Sequence, residues 1–201
     1  MYGTGRRRIP YVKNVYASLA SSLPHITGGT VADHRLREVL DVEISEISKN
    51  YQVRRLGRDD VDAIYELCRE NQIFYRYHEP FVTKESILDD MEALPPGKSR
   101  KDKYYVGFFD GGSLAAIMDL ILGYPEKSIA FIGLFMTDVR YQHRGVGSQI
   151  ISGLAAYLSA CGCEKIRLGV DKGNPQSHAF WTKNRFQTIG EARYIVMERE
   201  I

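Results

Sequence analysis

Cysteine is scarce in this chain of 201 residues: Cys68, Cys161 and Cys163 are the only three. An odd, sparse set of that kind does not make the disulfide framework of a small secreted protein, so a reducing, cytoplasmic setting is expected. Long apolar runs are missing as well. No stretch approaches the ~20 residues that a spanning helix requires, and no membrane partner is expected. Neither sign of charge dominates, with 27 Lys plus Arg against 25 Asp plus Glu and a formal net charge of +2. That balance gives no argument for a nucleic-acid partner. Internal repeats and low-complexity tracts are absent too. What remains is ordinary for a globular protein, 44% hydrophobic and 26% charged, and long enough to bury a core without disulfides or structural metals.

The composition changes near residue 50. Residues 1–50 read as a basic, helical N-terminal extension, and residues 51–201 as the main domain. No acidic residue precedes Asp33, while Arg6, Arg7, Arg8 and Lys13 are all basic. An Arg- and Ser-rich, acid-poor leader has the composition of an organellar transit peptide, but a basic tail on a domain reads the same way and is preferred. Ile9, Val12, Tyr16, Leu19 and Leu23 fall at roughly helical spacing, as do Leu36, Leu40, Ile44 and Ile47. Gly28-Gly29 separates the two sets. The second set is expected to lie on the main domain or on a second subunit of a homodimer.

From Tyr51 the pattern is regular. A short strand to Leu56 precedes a helix capped by Asp59 or Asp60, with Val61, Ile64, Leu67 and Cys68 on its apolar face. Thr83 starts another helix, stopped by Pro95-Pro96-Gly97. Tyr104–Phe109 and Ser113–Leu122, joined at Asp110-Gly111-Gly112, read as a hairpin, and Ser128–Thr137 as a third strand. The second half alternates: helix Gly147–Ala160, strand Lys165–Val170, helix Asn174–Asn184, and a terminal pair of strands at Phe186–Glu191 and Arg193–Glu198. Strand, helix, strand implies a parallel crossover. The expected fold is therefore α/β, a mixed and mostly antiparallel sheet with helices on both faces.

The segment richest in chemistry is Arg140-Tyr141-Gln142-His143-Arg144-Gly145-Val146-Gly147-Ser148, between an apolar strand and an amphipathic helix. Two glycines allow a sharp turn and a close approach of backbone to ligand. The unpaired N–H groups of the helix start, with the helix dipole, favour an anion, and Arg140 and Arg144 add charge. Phosphate or pyrophosphate is the natural occupant. A dinucleotide fingerprint would require glycine at Ile150, and the Gly-Lys-Ser/Thr phosphate loop is absent.

Gln142-x-x-Gly145-x-Gly147 resembles the Gln/Arg-x-x-Gly-x-Gly/Ala motif with which the GNAT acyltransferase superfamily holds the pyrophosphate of acetyl-CoA. A second match runs from Asn174 through Ser177 to Phe186, and the order of elements from Tyr51 to the C-terminus agrees. The resemblance implies an acyl-CoA-dependent N-acyltransferase moving acetyl to a primary amine, on a small molecule or a peptide, by direct transfer. The alternative is a domain of this fold that binds CoA as a sensor without turnover. Acetyl-CoA would be a co-substrate, with no metal. The implied contacts to it are Phe135, Met136, Thr137, Gln142, His143, Arg144, Gly145, Val146, Gly147, Ser148, Asn174 and Trp181. The strand at Phe135–Thr137 should splay from Leu168–Val170, exposing N–H groups that polarise the acetyl carbonyl. Any β-carbon at Gly145 or Gly147 should occupy space that phosphate oxygens need.

Two positions depart from the resemblance. Trp181 stands where the superfamily commonly has a tyrosine that can protonate the departing thiolate, and indole N–H is no such acid. With a thiol pKa near ~8.5, a thiolate at neutral pH lies only about 2 kcal/mol uphill, so the loss is tolerable. Arg185 replaces the usual glycine before Phe186, which bears on the local turn.

Three residues are the catalytic candidates on the acceptor side. Asp119 is a lone carboxylate in an apolar strand, so it should face a cleft or meet a basic partner, an arginine first. Glu79 ends the cluster Tyr75-Arg76-Tyr77-His78-Glu79, where the superfamily often builds its acceptor wall. Tyr194 is the candidate acid. Cys161-Gly162-Cys163 lacks a second metal-binding pair and reads as helix-end packing.

Overall fold

The computed structural model describes residues 15–16 and 42–201. The expected helical positions Ile9, Val12, Leu19, Leu23, Leu36 and Leu40 lie outside the described residues, as does most of the proposed extension.

A seven-stranded sheet runs through the domain in the order β1-β2-β3-β4-β5-β7-β6. The strands are β1 (Gln52–Arg55), β2 (Lys103–Asp110), β3 (Ser113–Leu122), β4 (Ile129–Thr137), β5 (Lys165–Asp171), β6 (Gln187–Glu191) and β7 (Tyr194–Glu200). Every neighbouring pair is antiparallel except β4 and β5. The helices are α1 (Val61–Glu70), α2 (Gln72–Tyr77), α3 (Lys84–Glu92), α4 (Val146–Ala160) and α5 (Pro175–Lys183). The mixed α/β fold expected from the sequence is the observed one.

Local chemistry accounts for the elements. Gly111 and Gly112 both have positive φ, 53° and 90°, as the tight β2–β3 hairpin turn requires. Thr83 and Ser86 form a reciprocal cap at the start of α3, each side chain accepting from the other's backbone N–H at 3.1 and 3.0 Å. Helix α2 was not expected: its six residues follow Asn71 directly, and aromatic density there reads as loop when only spacing is considered. At the other end, Ile44–Ile47 is a 3-10 turn rather than the end of a longer helix. It sits so close to α4 that a β-carbon on Gly153 would come within 2.8 Å of the Ile47 carbonyl oxygen.

Strand alternation divides the core between the two faces. One face carries Val106, Met118, Leu120, Ile132 and Leu168 against Ile150, Ile151, Leu154 and Leu158 of α4. The other carries Tyr105, Ile117, Ile121, Phe131, Leu134 and Met136 against Ile64 and Leu67 of α1 and Ile87 of α3. Each fully buried side chain of this kind contributes roughly 1.5–3 kcal/mol. Helices cover both faces.

Val15 and Tyr16 belong to the second face. Both are helical and fully buried, with the Tyr16 ring against Tyr124 and Phe131. The Tyr16 hydroxyl donates to Asp119 Oδ2 at 2.8 Å, and Lys103 Nζ donates to Asp119 Oδ1 at 2.6 Å. Burial, together with the adjacent carboxylate, pushes the Tyr16 phenol well above its ordinary pKa and keeps it a neutral donor. Burial also raises the Asp119 carboxyl, against the opposing pull of Lys103 and Tyr16. Asp119 is therefore a correction to the sequence reading. Its exposure is 0%, its partner is a lysine rather than an arginine, and it lines neither cavity described below.

Removing one partner of a buried ion pair strands the other charge, at a cost of about 3–5 kcal/mol. Lys103→Met should lower the unfolding free energy by that amount in a denaturant titration. Tyr16→Phe, which deletes one hydrogen bond to a charged acceptor, should cost about 1.5–3 kcal/mol. An unchanged midpoint for Tyr16→Phe would show that residue 16 does not dock on the sheet in solution.

Candidate active site

The site begins where β4 and β5 part. They pair in parallel from Ile129 opposite Lys165 to Ile132 opposite Leu168, and there the ladder ends. Beyond it β4 remains bonded to β3 as far as Thr137 opposite Ala116, while β5 follows β7 to Asp171 opposite Tyr194. The cause lies in β4. Asp119 faces Leu134 but Leu120 faces Ile132, so Gly133 is an extra, unmatched residue. A bulge of this type bends its strand and re-aims the side chains after it. Leu134 and Met136 then turn to the face of α1 and α3. Phe135 turns to the other, stacked on Phe180 at 6.0 Å between centroids. The splay expected at Phe135–Thr137 is present.

The loop after β4 is fixed at both ends. Asp138 accepts from the Arg140 backbone N–H at 2.8 Å and from its Nη2 at 2.8 Å. Burial would raise the Asp138 carboxyl, but these Arg140 bonds outweigh it and hold it below its ordinary value. Arg140, although exposed, is thus engaged with Asp138 within the loop, and Arg144 is a second exposed charge. Gln142 Nε2 donates to Asn71 Oδ1 at 2.7 Å and to the Thr137 carbonyl at 3.1 Å. Asn71 Nδ2 also donates to that carbonyl, at 3.2 Å. Asn71, at the end of α1, ties that helix to the loop. Sequence reasoning missed it, because a polar residue ending a helix looks like an ordinary cap.

Between these anchors the chain turns through His143 (φ 59°) and Gly145 (φ 81°) into α4. Among the described residues, the backbone N–H groups of His143 to Ser148 donate to no protein acceptor. They form a cluster of donors at the positive end of a 15-residue helix, which can hold a phosphate or pyrophosphate. Val146 is buried and its side chain belongs to the core, so only its amide faces such a ligand. The two glycines are required for different reasons. A β-carbon at Gly145 would meet nothing within 4 Å, and its constraint is the left-handed backbone; at Gly147 it would come within 3.0 Å of the Phe180 ring.

The second motif forms α5. Asn174 Oδ1 accepts from the Ser177 backbone N–H at 3.0 Å, so its side chain caps the helix, with Pro175 at the first position. Trp181 lies among Phe135, Phe180 and Phe186, at 5.9, 5.0 and 5.0 Å between ring centroids, and is buried. Arg185 adopts φ 69°, so the turn into β6 keeps a glycine-type conformation although an arginine occupies it.

On the opposite face are two cavities. One, of about 120 Å³, runs from Leu134 past Cys68, Tyr105 and Asp90 to His78 and Glu79. Burial pushes the Cys68 thiol up to about 12, so it is inert at neutral pH. The other, of about 380 Å³, is lined by Arg76, Tyr77, His78, Glu79, Asp171, Lys172, Arg193 and Tyr194. Burial raises the Tyr194 phenol, against the adjacent Arg193, so it remains a proton donor through the neutral range. Glu79 lines both cavities and Tyr194 the larger. Among the described residues no group of His, Cys, Asp and Glu could hold a metal ion, and no helix is long and apolar enough to cross a membrane. Cys161 and Cys163 close α4 as free thiols.

A left-handed backbone costs an L-residue about 1–2 kcal/mol, and Arg185 also repels Arg199. Arg185→Gly should therefore raise the unfolding free energy, by about 1 kcal/mol once the greater chain entropy of glycine is deducted. A denaturant midpoint that falls would contradict this.

Comparison with known proteins agrees with the geometry. No curated protein sequence matches the chain significantly. Among solved structures, an acetyltransferase from Thermus thermophilus superposes with a TM-score of 0.65 at 21% identity, covering 76% of this chain and 97% of its own. The PaiA N-acetyltransferase from Thermoplasma acidophilum, solved with coenzyme A, gives 0.59 at 19% identity, covering 75% and 98%. The ribosomal-protein-S18-alanine N-acetyltransferase from Escherichia coli gives 0.54 at 17%, covering 75% and 93%. At these identities the likeness is one of fold. The family model for GNAT acetyltransferases, however, matches residues 61–186, more than half of the sequence and every element from α1 to the end of α5, and the chain belongs to the acetyltransferase (GNAT) family.

Proposed function

We propose that this protein is an N-acetyltransferase that moves acetyl from acetyl-CoA to a primary amine by direct transfer. The observation that carries this reading is the divergence of β4 from β5 at Ile132 and Leu168, with the donor-rich start of α4 beside it. The opening is a slot for an extended chain, and the donors suit the pyrophosphate at that chain's end. A solved structure of this fold holds coenzyme A.

The residues divide the work by face. The amides of His143 to Ser148 bind the pyrophosphate, and the exposed Arg144 adds charge. Gln142 holds the loop closed against Asn71 and Thr137. Phe135, Met136 and Thr137 form the β4 wall of the slot, where N–H groups freed from pairing with β5 polarise the acetyl carbonyl. Asn174 contributes by capping α5 and Trp181 by packing beneath it. Neither handles a proton. The amine enters from the cavities on the opposite face, past Glu79, with Tyr194 able to protonate the leaving thiolate.

Titration calorimetry and a thiol-release assay over a panel of amines test the reading. Wild type should bind acetyl-CoA and release thiol only with an amine present. Binding without amine-dependent thiol would favour a sensor. Gly147→Val should lose acetyl-CoA binding, because its side chain both presses on Phe180 and crowds the donors; normal binding would sink the loop assignment. Trp181→Phe should keep the rate, whereas Trp181→Ala should destabilise the fold by about 3–5 kcal/mol.

A further inference from the structure

The two cavities on the acceptor face differ in charge. The smaller is lined by Glu79, Glu85, Asp89 and Asp90, and by no lysine or arginine among the described residues. The larger sets Arg76, Lys172 and Arg193 against Glu79 and Asp171. Two of those five groups are already matched. Lys172 Nζ lies 2.9 Å from Glu191, and Asp171 meets His78 at 3.1 Å. Among the described residues, Arg76 and Arg193 have no carboxylate within ion-pair distance, and Glu79 has no basic group.

The two arginines reach the larger cavity from different elements. Arg76 is in the last turn of α2, and Arg193 directly precedes β7, whose first residue, Tyr194, pairs with Asp171 at the end of β5. The Arg193 guanidinium stands 5.7 Å from the centre of the Tyr194 ring, which lines the same cavity, so its charged head is held at the wall. The smaller cavity instead includes Leu134, just past the bulge on β4. A molecule lying across both has its positive end toward β4 and its negative end toward the ends of β5 and β7.

Resting on the acetyl-transfer reading above, we propose that the acceptor is an amino acid, one small molecule carrying both the reactive amine and a carboxylate, and that Arg76 and Arg193 bind the carboxylate. The guanidinium fork matches a carboxylate with two parallel hydrogen bonds, which a lysine does not offer. The larger cavity, about 380 Å³, is of the size that takes a small molecule. Glu79, on the boundary of both cavities, is the counter-ion of the arriving ammonium. A diamine of similar length would suit the smaller cavity, but its second ammonium would fall among Arg76, Lys172 and Arg193 and be repelled. A neutral monoamine would leave both guanidiniums unmatched.

The test measures thiol release with free α- and ω-amino acids, with the same compounds as carboxamides, and with linear diamines. The carboxamide keeps the amine and deletes only the negative charge. Wild type should favour at least one amino acid over its carboxamide by about ten- to 100-fold in kcat/KM, the range expected for hydrogen bonds to a charged group, with the difference carried by KM. Arg76→Gln and Arg193→Gln should each shrink that ratio by about tenfold, and Arg193→Lys by less. The double variant Arg76→Glu with Arg193→Glu should turn the preference toward diamines. Thermal melting and the dissociation constant for acetyl-CoA, followed alongside, should not move. Equal rates on amino acids and carboxamides, a wild-type preference for diamines, or a ratio that the arginine variants leave intact overturns the assignment while leaving the acetyl-transfer reading in place. Wild type that releases no thiol with any amine overturns both.

Discussion

The site depends on a single interruption in a hydrogen-bond ladder. A parallel pair of central strands normally runs its full length, because every unpaired backbone group in a sheet interior is costly. Here the extra residue at Gly133 rotates β4 out of register with β3 and away from β5 after Ile132. The partners β3 and β7 keep bonding the outer edges of the two strands, so the sheet stays whole while its middle opens. The inner edges are left with N–H and C=O groups that a ligand can use. Because β4 then runs straight into the loop before α4, the same divergence places the phosphate-type donors at the mouth of the opening.

Bridges across that opening keep it from widening at random. On one face Phe135 of β4 packs on Phe180 and Trp181 of α5, which follows β5. On the other, His78, which follows α2, meets Asp171 at the end of β5. Asn71, seven residues earlier, bonds to Gln142 and to the Thr137 carbonyl, so α1 and α2 hold both lips. Apolar packing thus supports the face assigned to acetyl-CoA, and polar contacts support the face assigned to the acceptor. The division suits the chemistry: an extended thioester arm needs a shaped apolar wall, and an amine that must lose a proton needs titratable neighbours. Val15 and Tyr16 pack on this same face, beside Gly169 and Tyr194.

Much of this was legible in the sequence, and what was not has a common physical cause. The strands and the long helices have clear periods, and the loop from Arg140 to Ser148 has a spacing that only backbone donors explain. Glycine need was legible at Gly145 and Gly147, but its reason was not: at Gly147 the neighbour is Phe180, 33 residues away in sequence. Asp119 was recognised as an anomaly in an apolar strand. Its resolution came from Lys103 on β2 and from Tyr16, partners that no local pattern connects to it. Asn71 was invisible for the same reason, and His78 was legible only as a member of the cluster from Tyr75 to Glu79, without its contact to Asp171. Each is one ordinary polar residue near a helix end, and only the fold gives it a partner on another element. Periodicity reports what a residue does within its own element; pairings between elements require the topology first.

Tryptophan at position 181 follows from this arrangement. The indole is packed among three phenylalanines on the face assigned to acetyl-CoA, where a large apolar side chain contributes more to holding α5 than a phenol with a buried hydroxyl would. A protonated leaving group is worth only about 2 kcal/mol at neutral pH, since a thiol ionises near ~8.5. Deprotonating the acceptor is the larger demand: an ordinary amine with a pKa near ~10.4 is about three units from its reactive form, or roughly 4–5 kcal/mol. A site with one well-positioned proton-transfer group gains more from a base than from an acid. Trp181, packed among aromatic rings, is compatible with that balance.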